Sequence, residues 1–127
     1  MDTPCVLVVD DDVDIRQFVQ TALEEAGHQV VSAPSGASAL EFLHDGLAPR
    51  AMLLDLMMPG INGLETVQTM RTDERLAAIP VALLTAYPSL AREAMSLGGL
   101  EIITKPVDVE ELVDFADRYC ADGAGGA

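Results

Sequence analysis

Three consecutive aspartates, Asp10-Asp11-Asp12, follow the apolar run Cys5-Val6-Leu7-Val8-Val9. A further aspartate, Asp55, closes the run Ala51-Met52-Leu53-Leu54, Thr85 closes Val81 to Leu84, and Lys105 follows Glu101 to Thr104. Carboxylates brought together repel one another and partly neutralise unless a cation joins them. An all-oxygen set with access to water suits Mg²⁺ or Mn²⁺. Such a metal invites a phosphoryl oxygen, and Asp55 can then act as nucleophile and form an acyl phosphate. That transfer needs mainly positioning and charge neutralisation. Lys105 supplies a point charge for one phosphoryl oxygen, and the Thr85 hydroxyl can donate to another. Lys105 is the only lysine in an acidic chain, which sets it apart from a chance surface charge.

Whether these residues meet depends on the elements that carry them. Residues 5 to 9 read as a strand buried on both faces, being continuous and β-branched rather than alternating. Ile15, Phe18, Val19, Ala22, Leu23 and Ala26 then recur at helical spacing, with Asp12 as N-cap and Gly27 as the stop. Gln29 to Ser32 predicts a second strand, and Ser35 to His44 a helix with Ala39, Leu40 and Leu43 on its inner side. Residues 51 to 55 predict a third strand. A Pro- and Gly-containing loop from Met57 to Gly63 leads into a helix over Gly63 to Thr72, capped by Asn62. Pro80 opens a fourth strand, Val81 to Thr85, and Pro88 sits at the first turn of a helix ending near Gly98. Glu101 to Thr104 predicts the fifth strand. Asp108 caps a last helix with Val109, Leu112, Val113, Ala116 and Tyr119 inward.

Five βα units in succession imply an α/β fold, a doubly wound five-stranded parallel sheet with helices on both faces. Ligands bind such sheets beyond the carboxyl ends of the strands, where Asp10, Asp11, Asp55, Thr85 and Lys105 all fall.

With those ends in place, the sequence resembles the receiver domain of two-component response regulators, of the chemotaxis-regulator type. The matching stretches are Val8-Val9-Asp10-Asp11-Asp12, Leu54-Asp55-Leu56-Met57-Met58-Pro59-Gly60 with Asn62-Gly63, Leu84-Thr85-Ala86 and Thr104-Lys105-Pro106. The resemblance covers about residues 4 to 121. The resemblance implies a flavodoxin-like (βα)5 fold, with Asp55 as phosphoacceptor. It implies Mg²⁺ at Asp10, Asp11 and Asp55 with the Met57 backbone carbonyl as a further ligand. Thr85 would be the switch hydroxyl, Lys105 the phosphate contact, and the Lys105–Pro106 peptide cis. The chain departs from the family at Ile102, where an aromatic residue is usual, and in a short stretch between Thr85 and Lys105. Both bear on how a signal would be read out.

Other readings weigh differently. Asp10 to Asp12 alone could be solvated residues at a helix start, and Thr85 alone a strand-end hydroxyl. Asp10, Asp12 and Asp14 mimic the start of an EF-hand, but the sixth position is Ile15 rather than Gly and the twelfth Thr21 rather than Glu. A haloacid-dehalogenase-like phosphatase, nucleophilic at Asp10, would need room for a cap domain. Tyr87 reads either as a surface aromatic or as a shield for the phosphoryl group. His28 and His44 have no partner spacing and read as surface residues. Met57 and Met58 could be loop or core packing. The acidic positions of the last helix read as a solvated face.

At 127 residues the chain fits one domain, expected over residues 1–121 with a flexible Gly/Ala tail over 122–127. The net charge of −14 disfavours direct binding to nucleic acid or anionic lipid, which rests on Lys and Arg. No stretch approaches the length of a membrane span, and no signal peptide is evident. Cys5 and Cys120 follow no metal spacing and read as two reduced core thiols, which fits a cytoplasmic location. The expected role is a switch rather than an enzyme, apart from self-catalysed phosphotransfer and autodephosphorylation at Asp55. Its expected partners are a histidine kinase or histidine phosphotransfer protein and a downstream protein target. It would be a monomer or a phosphorylation-dependent dimer. The alternative is a degenerate receiver acting as a phosphorylation-independent interaction module.

Overall fold

The computed structural model describes residues 5–58, 60 and 62–125, with Glu93 and residues 121–125 described by backbone alone. The elements run β1 (Val6–Val9), α1 (Val13–Glu25), β2 (Val30–Ala33), α2 (Gly36–His44), β3 (Ala51–Asp55), α3 (Gly63–Met70), α4 (Glu74–Ala77), β4 (Val81–Thr85), a 3₁₀ turn (Pro88–Ala91), α5 (Arg92–Met95), β5 (Leu100–Thr104) and α6 (Val109–Gly125). The five strands form one parallel sheet in the order β2-β1-β3-β4-β5. The expected fold class is the observed one.

The chain jumps from one side of β1 to the other between β2 and β3. That reversal leaves a crevice at the carboxyl ends of β1 and β3, where a ligand fits this class of sheet. Alternate residues of each central strand feed two apolar layers, which is why β1, β3 and β4 read as unbroken hydrophobic runs. Leu7, Val9, Met52, Leu54 and Leu83 pack with α2 and α3, whereas Val6, Val8, Leu53, Ala82 and Leu84 pack with α1 and α6.

Local chemistry sets the helix boundaries. Asp12 accepts the Asp14 and Ile15 N–H groups at the start of α1, and Gly27 beyond its end takes φ +97°. Asn62 and Glu65 form a reciprocal capping box on α3. Asp108 accepts the Glu110 N–H at the start of α6. Phe115 is fully buried in the α1/α6 layer, whereas Val109, expected to face inward, is 41 % exposed. Two helices differ from expectation. The predicted helix over 63–72 stops at Met70, and Asp73 caps a separate turn, α4. The segment after Pro88 is a 3₁₀ turn followed by one turn of α-helix, so the short stretch between Thr85 and Lys105 has cost most of a helix.

Other expectations need correction. Cys5 and Cys120 are joined as a disulfide rather than standing as two reduced thiols, because α6 passes the entry to β1 at a Cα–Cα distance of 6.0 Å. The cysteines therefore lend no support to a reducing compartment. His28 is not a surface residue: its ring is largely covered and Nε2 lies 2.7 Å from Asp117 Oδ1, tying the α1–β2 turn to α6. Phe18, placed by period on the inner face of α1, is 49 % exposed. The last helix continues through Gly125, past the expected boundary at 121. Pro59, Ile61 and residues 126–127, which belong to the expected loop and tail, lie outside the described residues. No helix among the described residues is long and apolar enough to cross a membrane.

Candidate metal and phosphoacceptor site

The site is assembled from strand ends. Asp10 follows β1, and its Oδ1 accepts the Asp12 N–H at 2.9 Å. Arg16, one turn into α1, donates Nη1 to the Asp10 carbonyl at 2.7 Å. These bonds, with the Asp12 cap, fix the turn that presents the acidic run. Asp55 is the last residue of β3 and is 4 % exposed. The turn after it is pinned by the Leu56 N–H on the Leu84 carbonyl and the Gly63 N–H on the Leu56 carbonyl. Gly63 is required there, since a Cβ would stand 2.6 Å from the Asp55 carbonyl oxygen.

Lys105 follows β5, and its backbone N–H bonds the Thr85 carbonyl at 2.8 Å. Its Nζ lies 3.1 Å from Asp55 Oδ1 and 3.5 Å from Asp10 Oδ2. The Lys105–Pro106 peptide is cis, as the family resemblance implies. Thr85, buried at the end of β4, accepts the Tyr87 N–H on Oγ1 at 2.9 Å. Its hydroxyl proton can still be donated. Tyr87 itself is 63 % exposed at the rim.

Two carboxylates beside one ammonium leave the pocket short of positive charge. Burial, followed by the charge of Asp10, pushes the Asp55 carboxyl up from 3.8 to about 6, against bonds from Lys105 and the Met57 N–H. Burial alone would lower Lys105, but its bond to Asp55 and the charges of Asp10 and Asp55 outweigh that and hold the ammonium above its ordinary pKa.

Among the described residues Asp10 Oδ2 is buried with no hydrogen-bond partner. The Lys105 ammonium, 3.5 Å away, compensates it only in part, and a closer cation would complete the pairing. Oxygens of Asp10, Asp11 and Asp55 all lie within 4.8 Å of one another. The orphaned oxygen and the all-oxygen donor set therefore fit a hard divalent cation. Asp11, exposed beside the buried pair, gives such an ion access to water.

The arrangement defines a class: a doubly wound α/β domain with an acidic, cation-ready edge at the carboxyl ends of its strands. The family model for the response regulator receiver domain matches residues 6–117, and the chain belongs to that family. It is 39 % identical over 109 residues to an uncharacterized transcriptional regulatory protein, YrkP, of Bacillus subtilis, covering 84 % of this chain and 45 % of that protein. It is 32 % identical over 117 residues to sporulation initiation phosphotransferase F of the same organism, covering 90 % and 91 %. Among solved structures, chemotaxis protein CheY4 of Vibrio cholerae superposes with a TM-score of 0.82 at 29 % identity, covering 93 % of this chain and 99 % of that one. The chain spans about half the length of curated relatives such as YrkP and the DNA-binding dual master transcriptional regulator RpaA of Synechocystis.

The structure brings Asp10, Asp11, Asp55 and Lys105 together at this edge and places Thr85 at the neighbouring end of β4. Met57 meets the edge through its N–H, which bonds the Asp55 carboxylate. Sequence reasoning missed Arg16, whose helical position carries no signal of its own. It also missed the groove of about 350 Å³ beside the site, lined by Asp14, Ile15, Phe18, Lys105, Pro106 and Val107.

Proposed function

We propose that this receiver domain is a working phosphoacceptor switch of a two-component phosphorelay, taking a phosphoryl group on Asp55 from a phosphohistidine donor. The observation that carries the reading is the pairing of Asp55 with Lys105 next to the orphaned Asp10 Oδ2. Asp10, Asp11 and Asp55 would hold Mg²⁺ or Mn²⁺, with the Met57 carbonyl as a further ligand. The bound cation supplies neutralisation of charge on the phosphoryl oxygens.

The chain's own groups account for the rest. An ionised Asp55 oxygen attacks phosphorus, the phosphorus–nitrogen bond of the donor breaks, and the imidazole leaves with its electron pair and takes up a proton. Lys105, already within hydrogen-bond reach of Asp55, contacts one oxygen of the transferred group. Thr85 donates its hydroxyl proton to another and so draws the β4 end inward. Tyr87, bonded through its N–H to Thr85, covers the adduct and slows attack by water. Later hydrolysis of the acyl phosphate resets Asp55.

A histidine kinase or histidine phosphotransfer protein is the natural donor. The apolar groove beside Lys105, with Phe18 exposed at its wall, is suited to the donor's helix. A protein partner would read the change. Relatives described as DNA-binding regulators leave nucleic acid open for any longer protein, but the acidic surface disfavours contact by this domain itself. A cytoplasmic location accords with a phosphohistidine donor.

A degenerate receiver that only docks partners is the second reading. Ile102 and the cropped helix after Pro88 favour it, because they remove the usual aromatic and part of a readout surface. Transfer from a phosphorylated histidine phosphotransfer domain, with and without Mg²⁺, separates the two. Metal-dependent loss of label from the donor, abolished by Asp55→Asn, is expected; retained label with Mg²⁺ bound would leave the docking module.

A further inference from the structure

The two cysteines lie at the edge of the sheet opposite the phosphoacceptor. Cys5 immediately precedes β1, and its backbone is fixed there: its N–H bonds the Gln29 carbonyl, while its carbonyl accepts the Arg50 and Ala51 N–H groups. Cys120 lies within α6 and is 5 % exposed. Both belong to the apolar layer shared by α1 and α6, and their Cα atoms are 6.0 Å apart, inside the range a disulfide spans.

On its other side, α6 is held by Arg118, which forks both Nη atoms onto the Glu101 carboxylate of β5 at 2.6 and 2.8 Å. The Cys5–Cys120 bond is thus the covalent member of a set of clamps on α6 that includes Arg118–Glu101 and His28–Asp117. That helix begins shortly after Lys105, so one end meets the phosphoacceptor edge and the other meets the cysteines.

We propose that Cys5 and Cys120 form a reversible oxidative modification site, a thiol–disulfide lock that fixes the distal part of α6 to β1 without entering the chemistry at Asp55. The oxidant is a low-molecular-weight disulfide of the glutathione class. The Cys5 thiolate, the more accessible of the two, attacks it, forms a mixed disulfide and expels one thiol. The Cys120 thiolate then attacks the Cys5 sulfur and expels the second thiol. The two cysteines lose two electrons and two protons in all, and these appear in the two small thiols released. A dithiol reductant runs the exchange backwards.

Oxidation closes a loop of 115 residues in sequence, and so removes freedom from the unfolded chain. In the reduced state the carboxyl-terminal part of α6 keeps its side-chain packing, the exposed Arg118 clamp and the His28–Asp117 contact. It is the part expected to open first.

The test uses the whole chain equilibrated over a series of reduced-to-oxidised glutathione ratios, with thiols counted by mass after alkylation. Amide hydrogen exchange is followed in α6. A monomeric species lacking both free thiols should accumulate, with exchange over residues 113–120 slowed at least tenfold relative to the reduced form. Acetyl phosphate labelling of Asp55 should proceed equally in both forms. Cys5→Ser, at the partly buried position, should abolish the redox response while keeping the fold, and Cys120→Ala provides the reciprocal check. The proposal is overturned if the thiols stay reduced under excess oxidised glutathione, or if oxidation gives only mixed disulfides or cross-linked dimers. Formation of the bond with no change in α6 exchange overturns it equally.

Discussion

The ammonium of Lys105 sits 3.1 Å from the carboxylate of Asp55, joining the end of β5 to the end of β3 across the intervening strand β4. Removing it should separate acceptance from response. Lys105→Ala should still be phosphorylated at Asp55, because the proposed nucleophile and the carboxylates suited to a cation remain. Its conformational response should be largely lost, since nothing then ties β5 to the phosphoryl group. Comparison of amide exchange in β4 and β5 before and after phosphorylation measures this, and a response of wild-type size would refute the role.

The shifted Asp55 makes the metal-free protein pH-sensitive. Folded Asp55 holds its proton up to about pH 6, whereas the unfolded group releases it near 3.8. The folded state therefore binds this proton more tightly. The stability it lends is complete below about pH 4 and is lost as pH rises through 6. In urea unfolding with a chelator present, Asp55→Asn should gain on wild type by up to about 3 kcal/mol between pH 4 and 7. Saturating Mg²⁺ should erase that gain. A difference independent of pH would contradict the electrostatic account.

Gly63 has no room for a side chain, with the Asp55 carbonyl 2.6 Å and the Leu56 Cα 2.8 Å from an ideal Cβ. Gly63→Ala should destabilise the fold by about 1–3 kcal/mol and slow phosphorylation by displacing Asp55. Gly46→Ala is the contrast: φ is +112° with nothing near the Cβ. It should cost about 1 kcal/mol by backbone strain alone, with an unchanged phosphorylation rate. Equal rate effects in both would show that contact with Asp55 is irrelevant.

Arg71, at the end of α3, donates to the carbonyls of Leu97 and Gly98 at 2.8 and 2.6 Å. It supplies donors to the turn between the shortened α5 and β5. Arg71→Met should cost about 1–2 kcal/mol and speed amide exchange over residues 96–100. Unaltered exchange there would show that the turn holds itself.

Much of this was legible beforehand because the relevant signals are local. Strands buried on both faces announce themselves as unbroken β-branched runs, and the caps at Asp12, Asn62 and Asp108 follow from side-chain chemistry within a few residues. The strand-end rule then placed Asp10, Asp55, Thr85 and Lys105 together. What escaped depends on distant pairing or on which side of a helix faces a neighbour. The Cys5–Cys120 bond and the His28–Asp117 contact join segments far apart in sequence, and no spacing pattern encodes them. Phe18 satisfies the period of α1, yet it faces a groove, because the neighbouring Pro106 and Val107 wall it without covering it. The break after Met70 was hidden because Thr72 continues the helical pattern while Asp73 starts a new cap.

The central claim is that Asp55 accepts a phosphoryl group, and the most direct test supplies Mg²⁺ with acetyl phosphate and follows the intact mass. One acid-stable, base-labile phosphoryl adduct should appear on wild type and be absent from Asp55→Asn. Wild type that binds Mg²⁺ yet gains no adduct, or an adduct that persists at full yield in Asp55→Asn, would contradict it.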